Sequence, residues 1–317
     1  VNVPDLPPRV LLDLAQKCNL RCPMCVVWGR GDAPDGGDVM DVGAALKVIG
    51  QLDRALLQPN LWSEPLLVPD FLWWVTMMKN SGHSVAFNTN GLALDGDTAL
   101  LLVSQKVDSV MFSIDAVTSE TLKKIRGIRA LPRIEAAVLR LLAVRGEAQY
   151  PRIGVSFAKQ KENEHEVDEF VRRWVGVVDV VRVGLLFADG TYPDMVVPEM
   201  RTPCPAIYST MAIHVDGQVS VCCLDGLKQT NMGNVFKDGV KGVWSGPEFR
   251  RVRQAHESGD YDAVPFCKNC NGWAQNAFED QVEGNLLIRR SPEFTYYNRV
   301  DRLKNWTARG GHECRAG

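Results

Sequence analysis

The sequence contains no apolar run that would span a bilayer. The longest, around Phe71–Met78 and Ala99–Val103, fall far short of the ~20 residues a membrane helix needs. Positive charge is not in excess either. With 36 Lys and Arg against 38 Asp and Glu the net charge is −2, so no overall basic field draws in nucleic acid or an anionic membrane. Histidine is sparse, and the five present (His83, His165, His214, His256, His312) show no metal-ligand spacing. Val1 to Pro8 lack the basic-then-apolar order of a secretion signal. Internal repeats and low-complexity stretches are absent. What is left is an ordinary globular composition of 317 residues, enough for one large domain and a small one.

Cysteine is the residue present in informative number and place. Nine occur, at 18, 22, 25, 204, 222, 223, 267, 270 and 314. An odd count without a signal argues against a disulfide framework, and the clustering argues for metal in a reducing cytoplasm.

The run Val10–Leu14 leads directly into the first cysteines. Further strand patterns follow at Leu56–Leu61, Ser84–Asn88, Ser109–Ile114, Ile153–Phe157 and Val178–Leu186. They alternate with helical patterns at Asp41–Arg54, Pro69–Ser81, Asp97–Lys106, Ser119–Arg126, Leu131–Arg145 and His165–Val175. Strands alternating with helices predict βα units, a parallel sheet, and hence an α/β partial (β/α)6 TIM-like barrel over residues 1–190. Polar residues gather where such folds carry their sites, directly after the strands, at Ser63, Glu64, Thr89, Asn90 and Asp115. A Pro-rich connector then opens a small unit over 191–275. In it Met211–Val215 and Gln218–Val221 flank Asp216-Gly217, a hairpin signal, and Pro247–Glu257 fits a helix. Residues 276–317 are polar and aromatic and are expected to form a C-terminal extension of unassigned role.

Cys18-Asn-Leu-Arg-Cys22-Pro-Met-Cys25 places three thiolates in one loop, spaced C-x3-C-x2-C. Three thiolates hold three irons of a cubane cluster and leave the fourth open, whereas an electron-transfer cluster or structural zinc wants four ligands. In this loop the chain resembles the radical S-adenosylmethionine (SAM) superfamily, which implies a [4Fe–4S] cluster whose open iron binds SAM. Reductive cleavage of SAM there yields a 5′-deoxyadenosyl radical that abstracts a hydrogen atom. The family's aromatic residue before the third Cys is replaced by Met24, which still suits adenine packing. Trp62-Ser63-Glu64-Pro65 resembles the family's Gly-Gly-Glu-Pro motif, so Ser63 and Glu64 are implied to hold the SAM amino group. Thr89-Asn90-Gly91 matches a Thr-Asn-Gly turn and adds Asn90. Ser113 and Asp115 are implied to face SAM, Arg126 to pair with its carboxylate, and Ser156 is a weaker candidate of the same kind.

Cys204, Cys222, Cys267 and Cys270 make a complete four-thiolate set that suits a second [4Fe–4S] cluster, with zinc as the competing occupant. Their intervals of 18, 45 and 3 residues resemble those of the 2-deoxy-scyllo-inosamine dehydrogenase family, whose twitch domain is a short relative of the SPASM auxiliary-cluster domain. Consecutive side chains on a strand point to opposite faces, so one of Cys222 and Cys223 binds iron; the spacing selects Cys222. Cys223 is then a small buried residue or a catalytic hydrogen-atom donor. Arg182 and Asp189, around the sixth strand, are candidates to reach substrate by position.

The expected activity is oxidation of a secondary alcohol on a small polar substrate (an aminocyclitol, sugar or nucleoside of a natural-product, antibiotic-type pathway), with a flavodoxin- or ferredoxin-like reducing partner. Epimerisation through Cys223 and modification of a peptide are the alternatives. For the latter, the start of the cysteine loop at position 18 is expected to leave no room for an N-terminal peptide-binding module, a function that a separate binding protein could supply. A bare electron carrier is the non-enzymatic reading.

Overall fold

The computed structural model describes residues 2–33, 37–188 and 190–307; Asp189 and Cys314 lie outside them. The alternation of apolar strands and amphipathic helices folds as its periodicity requires. β1 (Arg9–Leu12), β2 (Leu56–Gln58), β3 (Ser84–Thr89), β4 (Ser109–Ser113), β5 (Arg152–Lys159) and β6 (Val180–Leu185) lie side by side in sequence order, every pair parallel. This is the expected partial (β/α)6 barrel. Between the strands run α1 (Val42–Ile49), α2 (Phe71–Asn80), α3 (Gly96–Ser104), α4 (Ser119–Arg126), α5 (Leu131–Arg145) and α6 (Val167–Trp174). Asp41, Asp95 and Thr118 start three of these helices by accepting the N–H groups of Ala44, Thr98 and Thr121.

The two faces of the sheet differ. Phe87, Phe112, Val155 and Phe157 are buried, while the alternate positions Asn88, Ser113 and Ser156 keep solvent contact. Successive side chains on a strand face opposite ways, so the helix-covered face is filled and the other lines an open, polar lumen.

β7 (Thr210–Ile213), reached through α7 (Ala206–Ser209), adds to the β1 edge in parallel, and β8 (Val219–Ser220) pairs back on it antiparallel. The hairpin predicted at Asp216-Gly217 forms. Gly217 has φ +78°, and a Cβ there would sit 2.6 Å from the Phe236 ring, so both conformation and space demand glycine. α8 (Val235–Trp244), α9 (Pro247–Ser258) and α10 (Pro265–Lys268) complete the small unit.

The 276–317 stretch does not simply trail from the small unit. It supplies β9 (Glu279–Glu283), β10 (Leu286–Arg290) and β11 (Phe294–Arg299), then α11 (Val300–Thr307), and β11 pairs antiparallel with β6. The result is an eleven-stranded sheet, with the hairpin at one edge and this meander at the other.

Asp179, at the foot of β6, ties several elements together. It is 2% exposed, pairs with the buried Arg145 of α5, accepts the Ile153 N–H at 2.8 Å, and lies 3.5 Å from Arg302 of α11. Removing one partner of a buried pair strands the other charge, so Asp179→Ala should destabilise the chain by about 3–5 kcal/mol, read as a lower midpoint in denaturant unfolding.

Candidate active site

The three N-terminal thiols sit in the loop after β1. The Cys25 N–H bonds the Cys22 carbonyl at 2.9 Å, and the Trp28 N–H points at Cys25 Sγ at 3.3 Å. Gly29 closes the loop at a place where no side chain fits: a Cβ would lie 2.4 Å from the Cys22 carbonyl oxygen and 2.8 Å from those of Cys25 and Pro23. Burial pushes the Cys18 thiol up to about 11 and raises that of Cys22, against which Arg126 acts in the opposite direction. Thiols in this state carry little charge by themselves; a metal supplies what holds them as thiolates.

Glu64 is buried at the end of β2. Its Oε1 accepts the Thr89 hydroxyl at 2.5 Å and the Leu66 N–H at 3.3 Å, and its Oε2 accepts the Asn90 N–H at 2.8 Å. A carboxylate offers about four lone-pair sites, so one on Oε2 is left for an ammonium or amine. Asn90 Nδ2 reaches back to Asn19, inside the cysteine loop, at 2.8 Å, and the Glu64 N–H bonds the Lys17 carbonyl at 2.8 Å. These bonds bring the loops after β1, β2 and β3 together. Ser63 is buried, its hydroxyl bears on the buried Asp13 carboxyl, and its carbonyl accepts the Asn60 amide at 2.9 Å.

Asp115 adopts φ +66°, a left-handed conformation that a non-glycine residue holds only where its surroundings fix it. Its Oδ1 accepts the Ala158 N–H at 2.7 Å, and its Oδ2 takes Arg126 Nη2 at 2.5 Å and Nε at 2.8 Å. Arg126, which the family resemblance implies would pair with a SAM carboxylate, is buried in an ion pair with Asp115, because the turn at Asp115 aims that carboxylate at it across α4. Two guanidinium nitrogens are thus committed to Asp115, while the group still bears on Cys22 and Cys18. Asn163, fully buried, braces the turn through Nδ2 bonds to the Asp115 and Ala158 carbonyls, both 3.0 Å.

Ser113, Ser156 and Arg182 are register partners across β4, β5 and β6, and Tyr296 of β11 continues the row. Arg182 therefore shares the lumen face, but its guanidinium pairs with Glu293 and lies over Gly184, where a Cβ would approach it within 2.7 Å. A cavity of about 710 Å³ opens beside the cysteine loop, lined in part by Met24, Cys25, Arg30, Phe187, Leu224 and Phe266. Met24 lies on its wall with the Gln160 amide 3.2 Å from its sulfur. Arg182 is not among the residues lining it.

Cys204, Cys222, Cys223, Cys267 and Cys270 ring a second, smaller cavity, and Leu224 and Phe266 line both. Burial pushes the Cys204 and Cys267 thiols up to about 12. Among the described residues no three His, Cys, Asp or Glu side chains converge as a single metal ion requires.

Two tryptophans join the cysteine sets. Trp28 Nε1 donates to the Trp62 carbonyl at 2.7 Å, and Trp62 Nε1 donates to the Cys223 carbonyl at 3.0 Å. Gly226 makes room, since a Cβ there would lie 2.4 Å from Trp62 Nε1. Tryptophan in a sequence reads as core by default, and only the geometry reveals this bridge.

Residues 13–173 match the profile of the radical SAM superfamily, and residues 204–271 match SPASM, an iron–sulfur cluster-binding domain. The first match covers half of the chain, which therefore belongs to the radical SAM superfamily: SAM and a [4Fe–4S] cluster are its cofactors, with further iron–sulfur ligation in the C-terminal domain. The chain is 29% identical over 168 residues to the tungsten-containing aldehyde ferredoxin oxidoreductase cofactor-modifying protein of Pyrococcus furiosus, covering 51% of this chain and 46% of that protein. It spans about half the length of the curated relatives it matches. In fold it is similar to BtrN in complex with AdoMet and 2-DOIA (TM-score 0.57, 17% identity, 84% of this chain and 93% of that one). It is also similar to Streptococcus suis SuiB bound to precursor peptide SuiA (TM-score 0.63, 15% identity, 80% and 68%). Among the described residues no helix is long and apolar enough to cross a membrane.

Gly29→Ala would push three backbone carbonyls apart and open the first thiol loop. After anaerobic reconstitution this variant should bind about four fewer irons per chain than the parent, the content of one cubane, while keeping the second cluster. Iron and sulfide analysis with EPR measures this.

Proposed function

We propose that this radical SAM enzyme oxidises a secondary alcohol on a small polar substrate, an aminocyclitol, sugar or nucleoside, and passes the second electron to an auxiliary cluster. The observation that carries the reading is the shared wall: Leu224 and Phe266 border both the cavity beside the first cysteine loop and the one ringed by the C-terminal thiols. A ketyl radical must lose one more electron to become a ketone, and an acceptor one side chain away suits that need.

In this reading Cys18, Cys22 and Cys25 hold the first [4Fe–4S] cluster, and Cys204, Cys222, Cys267 and Cys270 the second. Bound SAM supplies a 5′-deoxyadenosyl radical that removes a carbon-bound hydrogen. Glu64 accepts the SAM amino group at Oε2, with Ser63 and Asn90 beside it and Met24 against the adenine. Asp115 and Arg126 act as a neutralised pair that shapes the floor, with Arg126 opposing the burial of Cys22. Ser113 and Ser156 offer hydroxyls to substrate from the lumen row. Arg182, held by Glu293, offers its guanidinium N–H groups to a substrate hydroxyl on the same face. The division into a barrel over 1–190, an auxiliary unit over 191–275 and a C-terminal segment over 276–317 belongs to the same reading. So do a reducing, cytoplasmic setting and a flavodoxin- or ferredoxin-like donor.

Cys223 lines the thiol cavity together with Cys222 and is not among the residues lining the larger one. That placement favours dehydrogenation over an epimerisation that returns a hydrogen atom from Cys223. With dithionite, SAM and a panel of polyols in deuterated water, the enzyme should form 5′-deoxyadenosine and ketone in equal amounts, with no deuterium on the product carbon. Solvent deuterium at an inverted carbon would instead establish epimerisation, and turnover confined to peptides would establish peptide modification. No 5′-deoxyadenosine with both clusters present would end every enzymatic reading.

The ligand assignment has its own test. Cys222→Ser should lose the auxiliary cluster's EPR signal, and Cys223→Ser should retain it; the reverse pattern would exchange their roles.

A further inference from the structure

His256 lies on α9, next to the C-terminal thiol cavity, and its ring is 1% exposed. Its Nδ1 accepts the backbone N–H of Cys204 at 3.2 Å. A ring nitrogen that accepts has its lone pair in use, so the neutral imidazole carries its proton on Nε2. That Nε2 is buried and has no hydrogen-bond partner among the described residues. A buried N–H left without an acceptor is costly, and natural proteins seldom keep one without a use. The surrounding groups offer no better acceptor. Tyr261 meets the imidazole edge to face, with ring centroids 5.2 Å apart, and Arg201 is a donor whose Nη groups go to the Cys267 and Lys268 carbonyls. The ring does line the cavity walled by Cys204, Cys222, Cys267 and Cys270.

We infer that His256 donates its Nε2–H to a sulfur of the auxiliary cluster and is a positioning residue that sets the cluster's reduction potential. The inference rests on the reading that these thiols hold an iron–sulfur cluster. Hydrogen bonds to cluster sulfurs stabilise the more negative, reduced state and are one of the protein's main controls over potential. The imidazole acts twice on one ligand. Nδ1 fixes the backbone of Cys204, and Nε2–H withdraws charge from the sulfur it meets. For an enzyme whose auxiliary cluster must accept an electron, a donor here makes acceptance easier.

The experiment uses the full chain carrying Cys18→Ala, Cys22→Ala and Cys25→Ala, so that the auxiliary cluster is observed by itself. The chain is labelled with [15N]histidine, reconstituted anaerobically and reduced. Pulsed EPR should detect a 15N coupling on the reduced cluster, which needs no change at position 256. His256→Phe, which keeps an aromatic ring against Tyr261, should abolish that coupling. It should also lower the equilibrium constant for reduction about tenfold, a shift of 59 mV for a one-electron couple. No 15N coupling in the parent chain would overturn the inference, and would place the N–H on the Tyr261 ring instead. An unchanged potential in His256→Phe would likewise overturn it. If iron and sulfide analysis found no cluster in the triple variant, the auxiliary-cluster reading would fail first and the inference with it.

Discussion

The Trp28–Trp62–Cys223 chain of indole hydrogen bonds, laid over the ladder between β1 and β7, is the constraint on which the rest of the site depends. β1 runs into the first thiol loop, and β7 leads into the hairpin that precedes Cys222. Because Arg9–Leu12 and Thr210–Ile213 are paired residue for residue, the two loops start from a common backbone frame. A Pro-rich linker between a barrel and a small domain would ordinarily permit hinge motion. Here the small domain's first strand is part of the barrel's sheet, and Trp62 pins the chain beyond its hairpin to the loop that carries Glu64. The separation between the two thiol sets is thereby built into main-chain hydrogen bonds.

Within that frame the electrostatics follow one pattern. Burial raises Cys18, Cys204, Cys222, Cys267 and Cys270, and at Cys267 and Cys270 the Arg201 cation opposes this without reversing it. Near the first set the Leu20 N–H opposes burial at Cys18 and Arg126 opposes it at Cys22, and Arg126 is itself paired with Asp115. Burial therefore favours the protonated form of these thiols unless a metal takes the proton's place.

Much of this was legible in the sequence, for reasons that differ by element. The six parallel strands announced themselves because each is an apolar run bounded by turn residues, and the first thiol set because its ligands fall within eight positions. The hairpin at Asp216-Gly217 rested on local turn chemistry alone. The meander of β9 to β11 was not legible. Glu279–Glu283 is exposed along its length and carries no apolar alternation, so only its partner strands define it. The Arg126–Asp115 pair was hidden for another reason: its geometry hangs on one left-handed residue that composition does not mark. His256 looked like any helix histidine until α9 was seen to run along the thiol cavity.

The partition between the two cavities connects these features to the chemistry. Leu224 follows Cys222 and Cys223 directly, and Phe266 precedes Cys267, so the wall is built by the same short segments that carry the auxiliary ligands. Any shift of the thiols moves the wall with them. Leu224 and Phe266 present apolar side chains to both cavities, so the boundary they share offers water little to bind. Glu64 and Asn90 are joined across the loops after β2 and β3, and Ser113 and Ser156 share the lumen face of the sheet. Cys25 borders the larger cavity, while the C-terminal thiols ring the smaller one behind Leu224 and Phe266.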